Sequence, residues 1–228
     1  MTRLNGIYSA SFDAVVIGGG MAGAGVARDL ALRGASVALF EKGDFASGTS
    51  SKSSKLIHGG LRYLELFDFK LVRESLREKK TLERLAPHLV RPLPFLVPVY
   101  RGSKRGLIIV RLGMWLYDLL TPGSHRERFR VVRPVDALAL EPSIRADDLR
   151  GAGYYFDDLL LFPERLCLEN ALSAARHGAR VHNYCEVEAV TRGADDIDGV
   201  RVRDLLSDRK STRLNSSHSG ESRMPSSA

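Results

Sequence analysis

The stretch "DAVVIGGGMAGAGVARDLALRGASVALFEKGD", residues 13–44, decides the fold. It begins with four apolar residues, Ala14 to Ile17, that run into three glycines, the pattern of a short buried strand. Met21 to Gly34 follow with helix formers, small residues on one side and a glycine stop. Residues 35–44 return as an apolar strand that ends at Glu41. Strand, helix and strand in so short a span make a β-α-β unit with a parallel pair, whose crossover is right-handed by default.

Gly18-x-Gly20-x-x-Gly23 closes the first strand and opens the helix. Gly18 permits the tight turn, Gly20 lets the backbone approach a pyrophosphate, and Gly23 lets the helix pack close to the strand. Ala27 keeps that packing close one turn later. The helix N-terminus offers free N–H donors and a partial positive charge to phosphates. Glu41, 23 residues past Gly18, is placed to accept hydrogen bonds from ribose hydroxyls and to repel the 2′-phosphate of NADP. The pattern points to an adenine dinucleotide and leaves NAD and FAD open.

"TSSKSSKLIHGGLRYLE" (49–65) begins eight residues after Glu41. Its hydroxyl-rich half has the composition of a solvated loop. The stretch returns at once to Leu, Ile and Tyr, which a linker does not do. A dense set of short donors brought back towards a dinucleotide suits flavin phosphates and the flavin ring edge, and this favours FAD.

On these residues the chain resembles FAD-dependent glycerol-3-phosphate dehydrogenase, the respiratory, quinone-reducing type. Residues 15–65 carry the resemblance, with 49–65 close to a signature of that family. It continues through "APHLVRPLPFLVPVY" (86–100), "LGMWLYDLL" (112–120), "YYFDDLLLFPERL" (154–166) and "HGARVHNYCEV" (177–187), and covers roughly 13–204. The resemblance implies oxidation of sn-glycerol 3-phosphate to dihydroxyacetone phosphate, with electrons passed to quinone. It also implies peripheral attachment to the inner face of a bacterial cytoplasmic membrane. Arg111, Trp115 and Tyr117 are candidates for that attachment, or for internal packing.

The resemblance places Gly18, Gly20, Gly23, Glu41, Lys42, Thr49, Ser50, Ser53 and Leu56 at FAD. It places His58, Arg62 and Tyr63 at the reaction. An imidazole suits proton transfer near neutral pH, although a histidine that only bonds the cofactor fits the position equally well. A guanidinium suits bidentate recognition of the substrate phosphate. Tyr63 is a hydroxyl donor or a packing residue. Asp157 and Asp158 match a family position, with a turn or cap as the default reading. Rivals are another FAD oxidoreductase of the amine or amino-acid oxidase kind, an NAD-dependent dehydrogenase, and a catalytically silent dinucleotide-binding fragment.

The fold class expected is α/β: a Rossmann-like FAD-binding fold of the glutathione-reductase type, truncated, with the start of a mixed-sheet substrate or cap region. Its FAD-binding part is expected over 1–86 and again over 178–206, with the substrate region at 87–177. Helices are expected over 67–88, 106–120 and 163–178. An edge strand or extended connection is expected over 89–102, where three prolines stand among β-prone residues. Further strands are expected at 151–162, 179–193 and 199–204. Residues 207–228 hold 8 serines and 3 hydrophobic residues and read as a disordered tail, with 208–218 resembling translated sequencing adapter. The chain by itself is expected to bind flavin weakly and to lack measurable dehydrogenase activity.

Bulk properties agree with a folded protein, since 44% of the 228 residues are hydrophobic. The net charge of +7 is scattered without a basic block or aromatic interleaving, which argues against nucleic acid. Cys167 and Cys185 are too far apart for a metal or redox motif, and both read as core residues in a reducing compartment. No metal-ligand spacing is found among the histidines. No signal peptide is expected, and the apolar stretch 106–120 is too short to span a bilayer, so the reading is cytoplasmic.

Overall fold

The structure, a computed structural model, describes residues 10–60, 63, 66–120, 129–193, 197–207, 209–210 and 214–215. In chain order it opens with strand β1 (Ala14–Ile17), helix α1 (Met21–Leu32), strand β2 (Val37–Phe40), a 3-10 turn (Thr49–Lys52) and strand β3 (Leu56–Ile57). Helix α2 (Phe69–Leu85), strand β4 (Val90–Tyr100), helix α3 (Leu107–Leu120), strand β5 (Arg130–Val132), helix α4 (Pro134–Leu140) and strand β6 (Leu149–Leu160) follow. Helix α5 (Pro163–Arg176) leads to strands β7 (Arg180–His182), β8 (Cys185–Arg192) and β9 (Ile197–Asp204). The short strands β10 (Arg209–Lys210) and β11 (Leu214–Asn215) come last.

Two compact units result, one of residues up to Ser53 and from Phe162 onward, the other of Ser54–Leu161. The division departs from the expected boundary at 177/178 because α5 belongs with the first unit. Ala171 and Ala174 of α5 are buried in the same clusters as Ala24, Ala27 and Ala31 of α1. Small side chains on both helices let their backbones approach closely.

The first unit is built on the parallel sheet β1-β2-β7. Its central strand, Val-Ala-Leu-Phe, is buried throughout, as a strand covered on both faces requires. Burial of Val37, Leu39 and Phe40 is worth about 1.5–3 kcal/mol each. The single strand expected over 179–193 is in fact two. Tyr184 takes a left-handed φ of 53° and turns the chain out of the parallel sheet. Beyond it, β8 pairs antiparallel with β9 in a separate sheet. Two pieces of the segment expected to be disordered, β10 and β11, also pair with β9. An edge strand's open N–H and C=O groups accept backbone of almost any sequence.

The second unit is a sheet centred on β6, with β4 along one side and β3 and β5 along the other. β4 is the edge strand that its prolines predict. Pro92, Pro94 and Pro98 share one parity, so the positions without N–H all lie on the side away from β6. Helix α2 starts at Asp68, whose side chain accepts the Leu71 N–H at 3.0 Å. Its buried stripe is Val72, Leu76 and Lys79, whereas Leu85 in its last turn is 59% exposed. Val72 and Leu76 pack with Tyr117 of α3, against Tyr63, Leu116 and Leu120. Strand β5 and helix α4, which carry no periodic signal, pack through Val132 and Ala137 on Leu149 and Ala152.

Helix α1 holds two glycines with opposite demands. A Cβ on Gly23 would fall on the Gly18 carbonyl oxygen, whereas a Cβ on Gly25 would meet nothing within 4 Å. Gly23→Ala is therefore expected to destabilise the chain by about 1–3 kcal/mol. Gly25→Ala is expected to stabilise it by about 0.5–1 kcal/mol through helix propensity and the unfolded state. Urea unfolding of the two variants checks the pair, and equal effects would refute the close packing of α1 at Gly23.

Candidate active site

In the first unit the site is built around the turn from β1 to α1. Gly18 takes a φ of +105°, a conformation that favours glycine, and its N–H bonds the Phe40 carbonyl at 2.8 Å. Gly19 is held at both ends. Its N–H donates to Glu41 Oε2 at 2.6 Å, and its carbonyl accepts from the Ala46 N–H at 3.0 Å and the Cys167 thiol at 3.1 Å. The other carboxylate oxygen of Glu41 accepts the Gly43 N–H at 2.7 Å. Glu41 thus clamps the glycine turn to the end of β2. Each of its oxygens keeps a second acceptor site for a ribose hydroxyl.

Ser50 reaches this turn from the 3-10 turn. Its hydroxyl oxygen accepts the Met21 N–H at 2.9 Å and so caps α1 from 29 residues away. No acidic residue stands in the first turn of α1, so the positive end of the helix dipole is uncompensated there. A Cβ on Gly20 would meet only the Ser50 hydroxyl, at 3.2 Å, which leaves the backbone open to a close ligand. The Ser50 hydroxyl proton remains available to donate. Open backbone, helix N-terminus, hydroxyl donor and carboxylate together fit an adenine dinucleotide such as FAD. Lys42, Thr49 and Ser53 stand exposed around the same segment.

In the second unit, Leu56 is half-buried in β3, opposite Leu159 of β6. His58, exposed at the end of β3, accepts the Gly60 N–H through Nδ1 at 3.1 Å. A neutral ring held in this way carries its proton on Nε2, as assigned from the hydrogen bond. Gly60 has a φ of +72°, and a Cβ there would strike the Tyr63 ring. Tyr63 packs against the α2–α3 cluster, which is the packing reading of that residue. Arg62 lies outside the described residues.

Sequence reasoning missed the polar group beneath this segment. Asp157 and Asp158, read as a turn or cap, lie within β6, and Asp158 is 0% exposed. Lys79 Nζ donates to Asp157 Oδ1 at 2.6 Å and stands 3.6 Å from Asp158 Oδ2. Tyr117 OH donates to Asp157 Oδ1 at 3.4 Å and accepts the Gly59 N–H at 3.0 Å. Burial pushes the Asp157 carboxyl above its ordinary range, against the pull of Lys79 and, more weakly, of His58. Burial likewise raises the Tyr117 phenol, and it raises the Tyr155 phenol to about 12. One signal was available: Lys79 falls three residues after Leu76 and seven after Val72, on the helix face that is otherwise apolar. Cys167, a core residue as expected, also has an unforeseen bond to Gly19, and burial pushes its thiol up and keeps it a donor.

Known proteins align with these features. The sequence profile of the family described as FAD dependent oxidoreductase matches residues 13–214. The glycerol-3-phosphate dehydrogenase of Synechocystis sp. is 46% identical over 207 residues, which cover 90% of this chain and 37% of that protein. That of Mycobacterium leprae is 47% identical over 195 residues, covering 85% and 33%. A solved structure, the glycerol-3-phosphate dehydrogenase from Bacillus halodurans complexed with FAD, superposes with a TM-score of 0.70 at 28% identity. It covers 94% of this chain and 34% of its own. The chain therefore spans only 33% to 37% of the length of these two curated relatives. Because the profile runs through both the glycine turn and the His-Gly-Gly segment, the chain belongs to the FAD dependent oxidoreductase family.

Proposed function

We propose that this chain is part of an FAD-dependent dehydrogenase that oxidises sn-glycerol 3-phosphate to dihydroxyacetone phosphate and passes the electrons to quinone. The observation that carries the reading is the Ser50 hydroxyl on the first amide of α1. It ties the start of the run 49–65, the narrowest point of resemblance, to the dinucleotide turn within the first unit. The names of the relatives at 46% and 47% identity support the same substrate.

FAD, when bound, supplies the acceptor for the hydride that leaves C2 of the alcohol. The first unit's part is to hold the cofactor. Gly18, Gly20 and Gly23 give the pyrophosphate access to backbone N–H groups, Ser50 donates to it, and Glu41 accepts from the ribose. Lys42, Thr49 and Ser53 add exposed donors for phosphate. The second unit's part is carried by Leu56, for apolar contact with the cofactor, and by His58, Arg62 and Tyr63. With Nδ1 occupied by Gly60, His58 presents an Nε2–H donor. It can take the hydroxyl proton of the substrate only by releasing that bond. Arg62 is assigned to the substrate phosphate, with Tyr63 as its neighbour in the chain.

Delivery to quinone calls for contact with a membrane surface. No helix among the described residues is long and apolar enough to cross a membrane. Helix α3 instead exposes Ile108, Leu112, Trp115 and Leu119 along one stripe at helical spacing, beside an exposed Arg111. This pattern suits a helix lying in the headgroup plane. Tyr117 drops out of the expected set because it is buried.

The test begins with the gene read onward past the codon for Leu206, to obtain a protein of the relatives' size. Glycerol 3-phosphate is expected to bleach the flavin bands of that protein anaerobically, and glycine is not. The 228-residue chain alone is expected to hold flavin weakly and to give no turnover. Bleaching by glycine alone would move the assignment to the amino-acid oxidases. Glu41→Gln exchanges an acceptor oxygen for an NH2 group that cannot serve both backbone N–H groups. It is expected to cost about 1–3 kcal/mol in urea unfolding and to weaken flavin retention. Leu112→Glu together with Trp115→Glu is expected to abolish co-sedimentation with anionic vesicles while leaving the unfolding midpoint unchanged. Undiminished co-sedimentation would remove α3 from the membrane contact.

A further inference from the structure

We infer that the buried group Lys79, Asp157, Asp158 and Tyr117 is a positioning device that sets the backbone of His58–Gly60, and through it the orientation of the His58 ring. The inference rests on the reading of His58 as a site residue. None of the four needs to touch cofactor or substrate for the device to work.

Three of the four side chains, Lys79, Asp157 and Tyr117, form a relay with a defined direction. Lys79 holds Asp157 Oδ1 at 2.6 Å, on a carboxylate that is 2% exposed. The same oxygen accepts the Tyr117 hydroxyl at 3.4 Å. A buried anion orients that hydroxyl proton towards itself, which turns the oxygen's lone pair towards Gly59. Gly59 donates its N–H to that lone pair at 3.0 Å. Gly59 can come so near only because it has no Cβ, which would fall on both the Tyr117 hydroxyl and Leu76 Cδ2. The next amide, Gly60 N–H, closes on His58 Nδ1 at 3.1 Å. Charge fixes a hydroxyl, the hydroxyl fixes a peptide, and the peptide fixes an imidazole.

Stability alone is a poor account of the group. Two carboxylates and one ammonium in a low-dielectric interior often do no better than well-packed apolar side chains. A buried hydroxyl on Tyr117 would also be superfluous if the ring only packed against Val72, Leu76, Leu116, Leu120 and the partly buried Tyr63. Positioning accounts for both features. The strand pairing supports it, since Ile57, one residue before His58, stands directly opposite Asp158 of β6. The ions are therefore tied to the segment through the sheet as well as through Tyr117.

The test uses the 228-residue chain without FAD or substrate, so its outcome stands apart from the dehydrogenase reading. Tyr117→Phe keeps the ring and removes the hydroxyl. Amide hydrogen exchange at Gly59 and Gly60 is expected to accelerate about tenfold or more. The amides of the β4–β6 ladder are expected to keep their protection, and the His58 ring nitrogen resonances to move away from a ring whose Nδ1 is held as an acceptor. Lys79→Met is expected to give the same local change, and Lys79→Arg to restore protection by keeping the charge. Unchanged exchange at Gly59 would overturn the inference. So would a uniform acceleration across the ladder, which would make the group a support of the fold alone. If the longer protein fails to oxidise glycerol 3-phosphate while these shifts occur, the dehydrogenase reading falls and the relay remains.

Discussion

The close approach of Gly23 to the Gly18 carbonyl governs the first unit. No side chain fits between helix and strand there, so α1 must leave β1 at one angle and lie against it. That angle aims the N-terminus of α1 out of the turn and brings Met21 N–H within reach of Ser50. It also lets Ala24, Ala27 and Ala31 face the sheet and the small residues of α5. The direction of the helix start and its reach to Ser50 follow from this packing contact.

The two units hold the glycine turn and the His58–Gly60 segment by different means. In the first, the turn is held by its own backbone groups, bonded to the backbone of Phe40 and Ala46 and to the side chains of Glu41, Ser50 and Cys167. Backbone restraint suits a surface that must offer N–H donors to phosphates without a side chain in the way. In the second, the restraint on His58–Gly60 ends in buried ions. An ion pair is costly to bury, yet it resists rearrangement once buried, because moving one partner leaves the other charge uncompensated.

The local frame of the glycine turn was legible in the sequence. The strand, glycine turn, helix and second strand are local patterns, and each of the three glycines of the motif occupies the place its spacing implies. The prolines of β4 announced an edge strand for the same local reason. The partners of Lys79 were not legible, since its place on the apolar face of α2 marks the lysine but not the carboxylates of β6 that it meets. The break at Tyr184 was hidden too, because a β-prone run carries no mark of a left-handed residue within it. Strand β5 and helix α4 escaped because they are short and depend on contacts with β6 rather than on their own periodicity.

What the sequence determined by itself was the β-α-β unit, the dinucleotide chemistry of its turn and the family, because these rest on unbroken stretches of chain whose residue types and spacing can be read directly. Tertiary structure alone decided which distant groups meet. Lys79 meets Asp157 across 78 residues of chain, and Cys167 meets Gly19 across 148. Such pairs leave no periodic trace in a single sequence. They exist because a folded interior must pair the polar groups it buries, and only the packed chain shows which partner is within reach.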